Sequence, residues 1–253
     1  MDYILYNKTK GAIMSPRKPK QTTKEQIIQL RTELDECFDS FSSTKRTRNL
    51  YWLRRQIAVE EPKVLCPYQA KDLDDTSMAN IAVAYDYIIQ NIHKEITFEE
   101  VRNIHYILCK DTHIDGYNFR TANARIQFSV DDIPYNAPDG SMIEYNLRQI
   151  MYNLNHSKRD IFTRAYDVHY ELIMLQPFDD FNKRTARLIM NWVLLQNGYR
   201  PIAFNKREDK KAYIDAICNR ANGDHRAYTD YMSKCQLRTQ KSILKHLKDS
   251  RIM

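Results

Sequence analysis

Glycine and proline are scarce in this chain, five and eight in 253 residues. A β-sandwich or barrel needs turn residues every few positions, so the scarcity excludes those classes and makes helix the default. No run of about eighteen apolar residues occurs, so no membrane-spanning helix is expected. The opening Met1-Asp2-Tyr3-Ile4-Leu5-Tyr6-Asn7-Lys8 lacks the charged-then-apolar order of a signal peptide. Cysteine is sparse and odd in number: Cys37, Cys66, Cys109, Cys218 and Cys235, with no Cys-x-x-Cys pair. That argues against a disulfide scaffold or a zinc ribbon. It points to reduced thiols in the cytoplasm, or to a protein delivered to another cell without a classical leader. No internal repeat and no low-complexity segment appears.

What is present suits one folded unit. Hydrophobic residues at 43% and charged residues at 28% exclude wholesale disorder. The net charge of +7 is concentrated at the ends. Lys8, Lys10, Arg17, Lys18 and Lys20 face Asp2 alone in residues 1–20. Arg226, Lys234, Arg238, Lys241, Lys245, Lys248 and Arg251 outnumber Asp230 and Asp249 at the other end. Basic ends can meet nucleic acid or anionic lipid, but solvated tails are the plainer reading. No nucleic-acid motif accompanies them, so nucleic acid is not an expected partner.

The periodicity predicts an all-α bundle with one β-hairpin. Residues 1–20 read as a flexible basic arm, and 21–75 as an N-terminal helical extension. Thr22-x-x-Glu25 is a capping box, followed by Ile27, Leu30, Leu34, Cys37, Phe38 and Phe41 on one face. Tyr51-Trp52-Leu53 suggests a short buried helix. Met78, Ile81, Tyr85, Ile88, Ile89 and Ile92 mark another helix. A further one opens at Thr97 with Glu100 three on, its inner face Val101, Ile104, His105 and Leu108. The period then drops to two over Ala124, Ile126, Phe128 and Val130, and the chain turns back at Asp131-Asp132 through Ile133 and Tyr135. Pro134 and Pro138 make this an edge ribbon. Ser141-x-x-Glu144 caps a helix with Leu147, Ile150, Met151 and Leu154; helices over 160–175, through Ala186–Leu195, 209–221 and 224–248 complete the chain. The core spans 76–230, and 231–253 is a basic helical end.

The chemically informative stretch is Gln176-Pro177-Phe178-Asp179-Asp180-Phe181-Asn182-Lys183-Arg184-Thr185-Ala186-Arg187. It lies between two apolar helices, which places its polar groups at a helix N-terminus. Free N–H groups and the helix dipole favour phosphate there. Arg184 and Arg187, three apart, share a face that can hold successive phosphates. Asp180 offers a hard oxygen suited to Mg²⁺ bridging phosphates. An ordinary charged helix start, with Asp as its cap, fits the same residues.

The stretch resembles the signature loop of the Fic (Fido) family, His-Pro-Phe-x-Asp/Glu-Gly-Asn-Gly/Lys-Arg with a second arginine after it. Pro177, Phe178, Asp180, Asn182, Lys183, Arg184 and Arg187 match. His169, the run Arg187–Asn191 leading through Asn197-Gly198-Tyr199-Arg200-Pro201, and Tyr117-Asn118-Phe119-Arg120-Thr121-Ala122-Asn123-Ala124-Arg125-Ile126 extend the likeness over about residues 76–230. The resemblance implies a helical bundle with a hairpin flap. It also implies transfer of AMP from ATP to a Ser, Thr or Tyr hydroxyl of a target protein; some branches transfer UMP, phosphocholine or phosphate. By likeness, Asp180 holds Mg²⁺, and the loop N–H groups with Asn182 form an anion hole lined by Phe181 and Lys183. Arg184 and Arg187 contact the distal phosphates. The target docks by strand addition on the flap at Ile126, Gln127 and Phe128.

Two positions depart from the pattern. Gln176 stands where the family's histidine acts as base, and a neutral carboxamide takes no proton at pH 7. Phe181 stands where glycine is usual. The expectation is therefore a protein nucleotidyltransferase with weakened or altered chemistry. The alternatives are a pseudoenzyme that binds nucleotide or protein, or a phosphotransferase variant. Asp179, His169 and His156 are the nearest candidates for a replacement base, and none is assigned; His169 reads as a core histidine. The family's inhibitory glutamate helix has its nearest counterpart in Ser42-Ser43-Thr44-Lys45-Arg46-Thr47. Arg46 occupies the glutamate position, so no inhibitor in cis is expected.

Overall fold

The computed structural model describes residues 21–42, 75–121, 123–126, 135–204 and 206–252. The expectations placed on 1–20, on Tyr51-Trp52-Leu53, on Ser42–Thr47 beyond its first residue and on Gln127–Pro134 fall outside them. Among the described residues there are eight α-helices and one two-stranded ribbon. The helices are α1 (Thr23–Asp39), α2 (Asp75–Gln90), α3 (Phe98–Cys109), α4 (Ile143–His156), α5 (Ile161–Leu175), α6 (Asn182–Gln196), α7 (Lys206–Ala221) and α8 (His225–Ile252). Strands β1 (Arg125–Ile126) and β2 (Tyr135–Asn136) pair antiparallel, Arg125 opposite Asn136 and Ile126 opposite Tyr135. The all-α reading with one hairpin holds.

The bundle is built around α6. Every residue from Arg184 to Leu194 is buried, so this helix has no solvent face. A helix enclosed on all sides must find partners for its polar members. Asn191 does so fully, donating to Tyr85 Oη (2.8 Å) and the Ile202 carbonyl (3.2 Å) and accepting from the Ile202 N–H (2.8 Å). That tie fixes the chain leaving α6. Gly198 ends the helix at φ +76°, and the Tyr199 and Gly198 amides return to the Leu194 and Leu195 carbonyls. A Cβ on Gly198 would also meet the Arg31 guanidinium at 2.6 Å.

Helix α1 sits on the C-terminal half of α8, with Leu34, Cys37 and Phe41 packed against Ile243, Leu244 and Leu247. The Thr22–Glu25 capping box forms in full. The two helices are oppositely charged in sequence, yet Glu33 and Lys248 approach only to 3.9 Å and both are exposed. Apolar packing holds the pair; an exposed ion pair contributes about 0–1 kcal/mol.

Three local expectations are corrected. Ile89 is 50% exposed, because Ile81, Tyr85 and Ile88 already fill the inner face and the next position lies about 100° round the helix. The Thr97 side chain does not cap α3; Glu100 instead turns inward to accept from Tyr87 Oη at 2.6 Å. Burial, with the Glu100 contact, pushes the Tyr87 hydroxyl up to about 12. Ser141 does not cap α4 either. Its hydroxyl is donated to Asp139 (2.6 Å) across a single 3-10 turn, and Glu144 pairs with Arg148 at 2.8 Å.

His169 on α5 is a core histidine. It is fully buried, with Nδ1 2.6 Å from Tyr228 Oη and Nε2 3.1 Å from Tyr213 Oη. Burial, then the positive charges of Arg187 and Arg220, holds its pKa well below the usual value. The folded state therefore keeps this ring neutral, whereas the unfolded chain takes a proton below about pH 6.5. Stability should fall as pH drops below that point, with a slope of up to about 1.4 kcal/mol per pH unit from this group. Urea unfolding between pH 7 and 5 should show a shallower dependence for His169→Gln than for wild type. Equal slopes would mean that the ring accepts a proton without unfolding.

Candidate active site

The 176–182 segment connects α5 to α6 and is bracketed by two left-handed residues. Gln176 caps α5 at φ 48°, ψ 62°, and Phe181 precedes α6 at φ 56°, ψ 10°. Neither is glycine, and each such residue costs on the order of 1–3 kcal/mol unless its surroundings hold it. The surroundings here are specific. Asn182 Oδ1 accepts from the Phe178 N–H (2.9 Å), and its Nδ2 donates to the Phe178 carbonyl (2.7 Å) and to Gln176 Oε1 (3.1 Å). Gln176 Nε2 donates to the Ile173 carbonyl at 2.7 Å. Both carboxamides are committed to closing the loop.

His105 supports the loop from below. Its ring stacks on Phe178 at 3.6 Å with an interplanar angle of 3°. Its Nδ1 lies 2.9 Å from the Gly116 carbonyl and its Nε2 3.1 Å from that of Asp180. Burial lowers its pKa, against those two carbonyls, which act to raise it. Sequence reading put His105 on an apolar face and missed this role, which runs through a backbone carbonyl and leaves no spacing motif.

Helix α6 begins without a side-chain cap, because its N-cap is Phe181. The first-turn amides of any helix lack intrahelical acceptors, and an N-terminus with no side-chain cap is the arrangement that binds anions. Arg184 is buried and rests on the Phe181 ring, 4.1 Å from guanidinium carbon to centroid. The ring thus covers one face of the arginine. Arg187 is completely buried, with Phe204 and Tyr213 rings 4.7 and 5.1 Å from its guanidinium, and none of its three side-chain nitrogens has a hydrogen-bond partner among the described residues. Two ring stacks offset part of the several kcal/mol that desolvating a lone charge costs, but they give the guanidinium N–H groups no hydrogen-bond acceptor. An anion would complete the site.

Asp180 is exposed, and its Oδ1 accepts from the Phe181 N–H at 2.6 Å. Among the described residues no group of three or more His, Cys, Asp or Glu could hold a metal. A single carboxylate fits Mg²⁺ that takes its remaining ligands from phosphate oxygens and water. Among the described residues, none of the three candidate bases approaches Gln176. Asp179 is exposed, and His169 is sealed in the core. His156 stacks on Tyr152 and lines a cavity of about 490 Å³ between α4 and α5, which includes no residue of 176–187. The Cys109 thiol, 3.5 Å from His105 Nε2, is pushed up to about 12, mainly by burial, and stays protonated.

The hairpin reaches the loop through its base. The Arg120 N–H donates to the Pro177 carbonyl (3.1 Å), and Phe119 packs on Phe178 at 5.5 Å between centroids. Ile126 lies in β1, while Gln127 and Phe128 fall outside the described residues.

The strain at Phe181 can be measured. Phe181→Gly removes the left-handed penalty along with the ring contact, whereas Phe181→Ala keeps the penalty and loses the ring. Phe181→Ala should therefore be less stable than Phe181→Gly by about 1 kcal/mol in urea unfolding. Equal stability would mean that this backbone is relaxed.

The Fic/DOC family model matches residues 95–194. Curated relatives named protein adenylyltransferase Fic include one from Aedes aegypti, 28% identical over 177 residues, which are 67% of this chain and 34% of that protein. One from Nematostella vectensis is 42% identical over 74 residues, 28% of this chain and 16% of that protein. The chain thus spans about a third or less of these relatives. Among solved structures, a Fic domain containing signaling protein from Bacteroides thetaiotaomicron superposes with TM-score 0.70 at 17% identity, covering 88% of this chain and 97% of that one. A Fic-1 fragment from C. elegans gives TM-score 0.64 at 20% identity, covering 90% and 73%. IbpAFic2 in complex with adenylylated Cdc42 gives 0.53 at 15% identity, covering 85% and 77%. The fold is shared with these structures, and the stretch that matches the Fic/DOC family model, residues 95–194, includes the loop between α5 and α6.

Proposed function

We propose that the chain is a Fic-type protein nucleotidyltransferase of weakened activity, which binds ATP with Mg²⁺ at the 176–187 loop. The observation that carries this reading is the buried Arg187 guanidinium without a hydrogen-bond partner, one turn inside an uncapped helix start. A terminal phosphate supplies the missing acceptors. Arg184 serves a neighbouring phosphate through the guanidinium edge that the Phe181 ring leaves uncovered. The amides of Asn182, Lys183 and Arg184 face the α-phosphate, and Asp180 carries the metal, which neutralises phosphate charge when bound. In the transfer, a target hydroxyl oxygen forms a bond to the α-phosphorus, the bond to the bridging oxygen breaks, and pyrophosphate leaves. The hydroxyl proton finds no side-chain acceptor at Gln176 and passes to solvent water, which is why the reaction is slow.

The adenylyltransferase names of the relatives support the donor and the reaction. Docking of the target along the hairpin, by strand addition at Ile126, Gln127 and Phe128, belongs to the same reading. A second reading, a nucleotide-binding module without catalysis, is favoured by one observation: both carboxamides at Gln176 and Asn182 are used inside the loop.

Calorimetry should show ATP–Mg²⁺ binding that weakens at least tenfold in Arg184→Ala and in Arg187→Ala; unchanged affinity would place the nucleotide elsewhere. Radiolabelled-ATP transfer separates the two readings. Wild type should be slow and metal-dependent, Asp180→Asn inactive, and Gln176→His faster by ~10²–10⁴ fold, alone or together with Phe181→Gly. Silence of the double variant with ATP bound would leave the binding module.

A further inference from the structure

Arg120 holds together three segments that the chain visits far apart. It is 3% exposed. Its Nε donates to the Gln176 carbonyl at 2.6 Å, and its terminal nitrogen donates to the carbonyls of Leu175 (3.2 Å) and Pro138 (2.5 Å). Its backbone N–H donates to the Pro177 carbonyl at 3.1 Å. Leu175 and Gln176 end α5, so the cation sits at the negative end of that helix dipole. Arg120 begins the run into β1, and Pro138 follows β2. One side chain therefore touches the entry and the exit of the hairpin and the first residues of the anion loop.

The neck of the hairpin is closed by two further contacts. The Ala137 N–H donates to the Ala124 carbonyl at 2.9 Å. The backbone at Gly140 passes so close to residues 120–121 that a Cβ there would lie 2.6 Å from the Thr121 carbonyl oxygen and 3.0 Å from that of Arg120. Neither contact reaches the 176–182 loop. Among the described residues, the hairpin and the loop are joined by the Phe119–Phe178 ring packing and by the hydrogen bonds of Arg120, and only Arg120 also reaches the exit of the hairpin at Pro138.

We propose that Arg120 is a positioning residue that couples the hairpin to the anion loop, so that an anion bound at the start of α6 also orders the hairpin. The inference rests on the nucleotide site proposed above. A phosphate that tightens the loop fixes the Gln176 and Pro177 carbonyls. Those carbonyls hold the guanidinium, and the guanidinium holds Pro138. Coupling of this kind is reciprocal: a strand seated on the hairpin would tighten nucleotide binding by the same factor.

Hydrogen exchange on the full chain, free and with ATP–Mg²⁺, tests this. In wild type, nucleotide should slow exchange at Ala137 at least fivefold. In Arg120→Lys, which keeps the charge but loses the fork, nucleotide binding should persist while that slowing disappears. Exchange within α1 and α8 serves as the control for global stability and should match wild type. Slowing at Ala137 that survives in nucleotide-bound Arg120→Lys would overturn the coupling.

If wild type binds no nucleotide, the proposed function fails, and the free proteins still decide the role of Arg120. Arg120→Lys should then accelerate exchange at both Ala137 and Phe178, whereas acceleration at one alone would overturn the inference. If Arg120→Lys does not fold, Gly140→Ala is the second variant, because its Cβ wedges the neck without touching the guanidinium. It should loosen Ala137 yet leave Phe178 unchanged while Arg120 keeps the loop, and loosening of both would show that the neck alone carries the coupling.

Discussion

The site depends on the hydrogen bonds that Asn182 makes across the turn between α5 and α6. Its carboxamide binds both backbone groups of Phe178 and the Gln176 side chain, closing a loop whose two ends carry left-handed non-glycine residues. Without that clasp the strain at Gln176 and Phe181 would be relieved by opening the turn. With it, α6 starts at a fixed point, and its uncapped amides and Arg184 face one small region. Gln176 acts as part of the clasp, donating to the Ile173 carbonyl and accepting from Asn182.

Burial of α6 explains the rest of the electrostatics. A helix with no solvent face can keep a guanidinium inside only where rings or an anion offset its desolvation. Arg187 has the two rings of Phe204 and Tyr213 and no hydrogen bond. The same enclosure keeps His169 neutral and ties it to Tyr213 and Tyr228, so α5, α7 and α8 meet at one polar cluster.

Much of this was legible in the sequence because it rests on local periodicity and on one contiguous motif. The capping box at Thr22, the inner faces of α3 and α4, the glycine stop at Gly198 and the loop between two apolar helices all follow from spacing. The boxes at Thr97 and Ser141 misled because tertiary partners, Tyr87 for Glu100 and Asp139 for Ser141, outcompeted the local ones. Arg120 and His105 could not be ranked from sequence. Each works on backbone carbonyls of residues 11 to 75 positions away, and any residue type supplies a carbonyl. The resting place of the Phe181 ring, on Arg184, was equally invisible, since it depends on a backbone conformation that phenylalanine rarely adopts.

The most direct test of this account is a crystal structure of the chain with a non-hydrolysable ATP analogue and Mg²⁺. The account predicts phosphate oxygens within hydrogen-bond distance of Arg187 and Arg184 and of the amides at 182–184, with Gln176 still bonded to Asn182. Nucleotide bound away from the start of α6, or bound there with the Arg187 nitrogens still lacking acceptors, would contradict it.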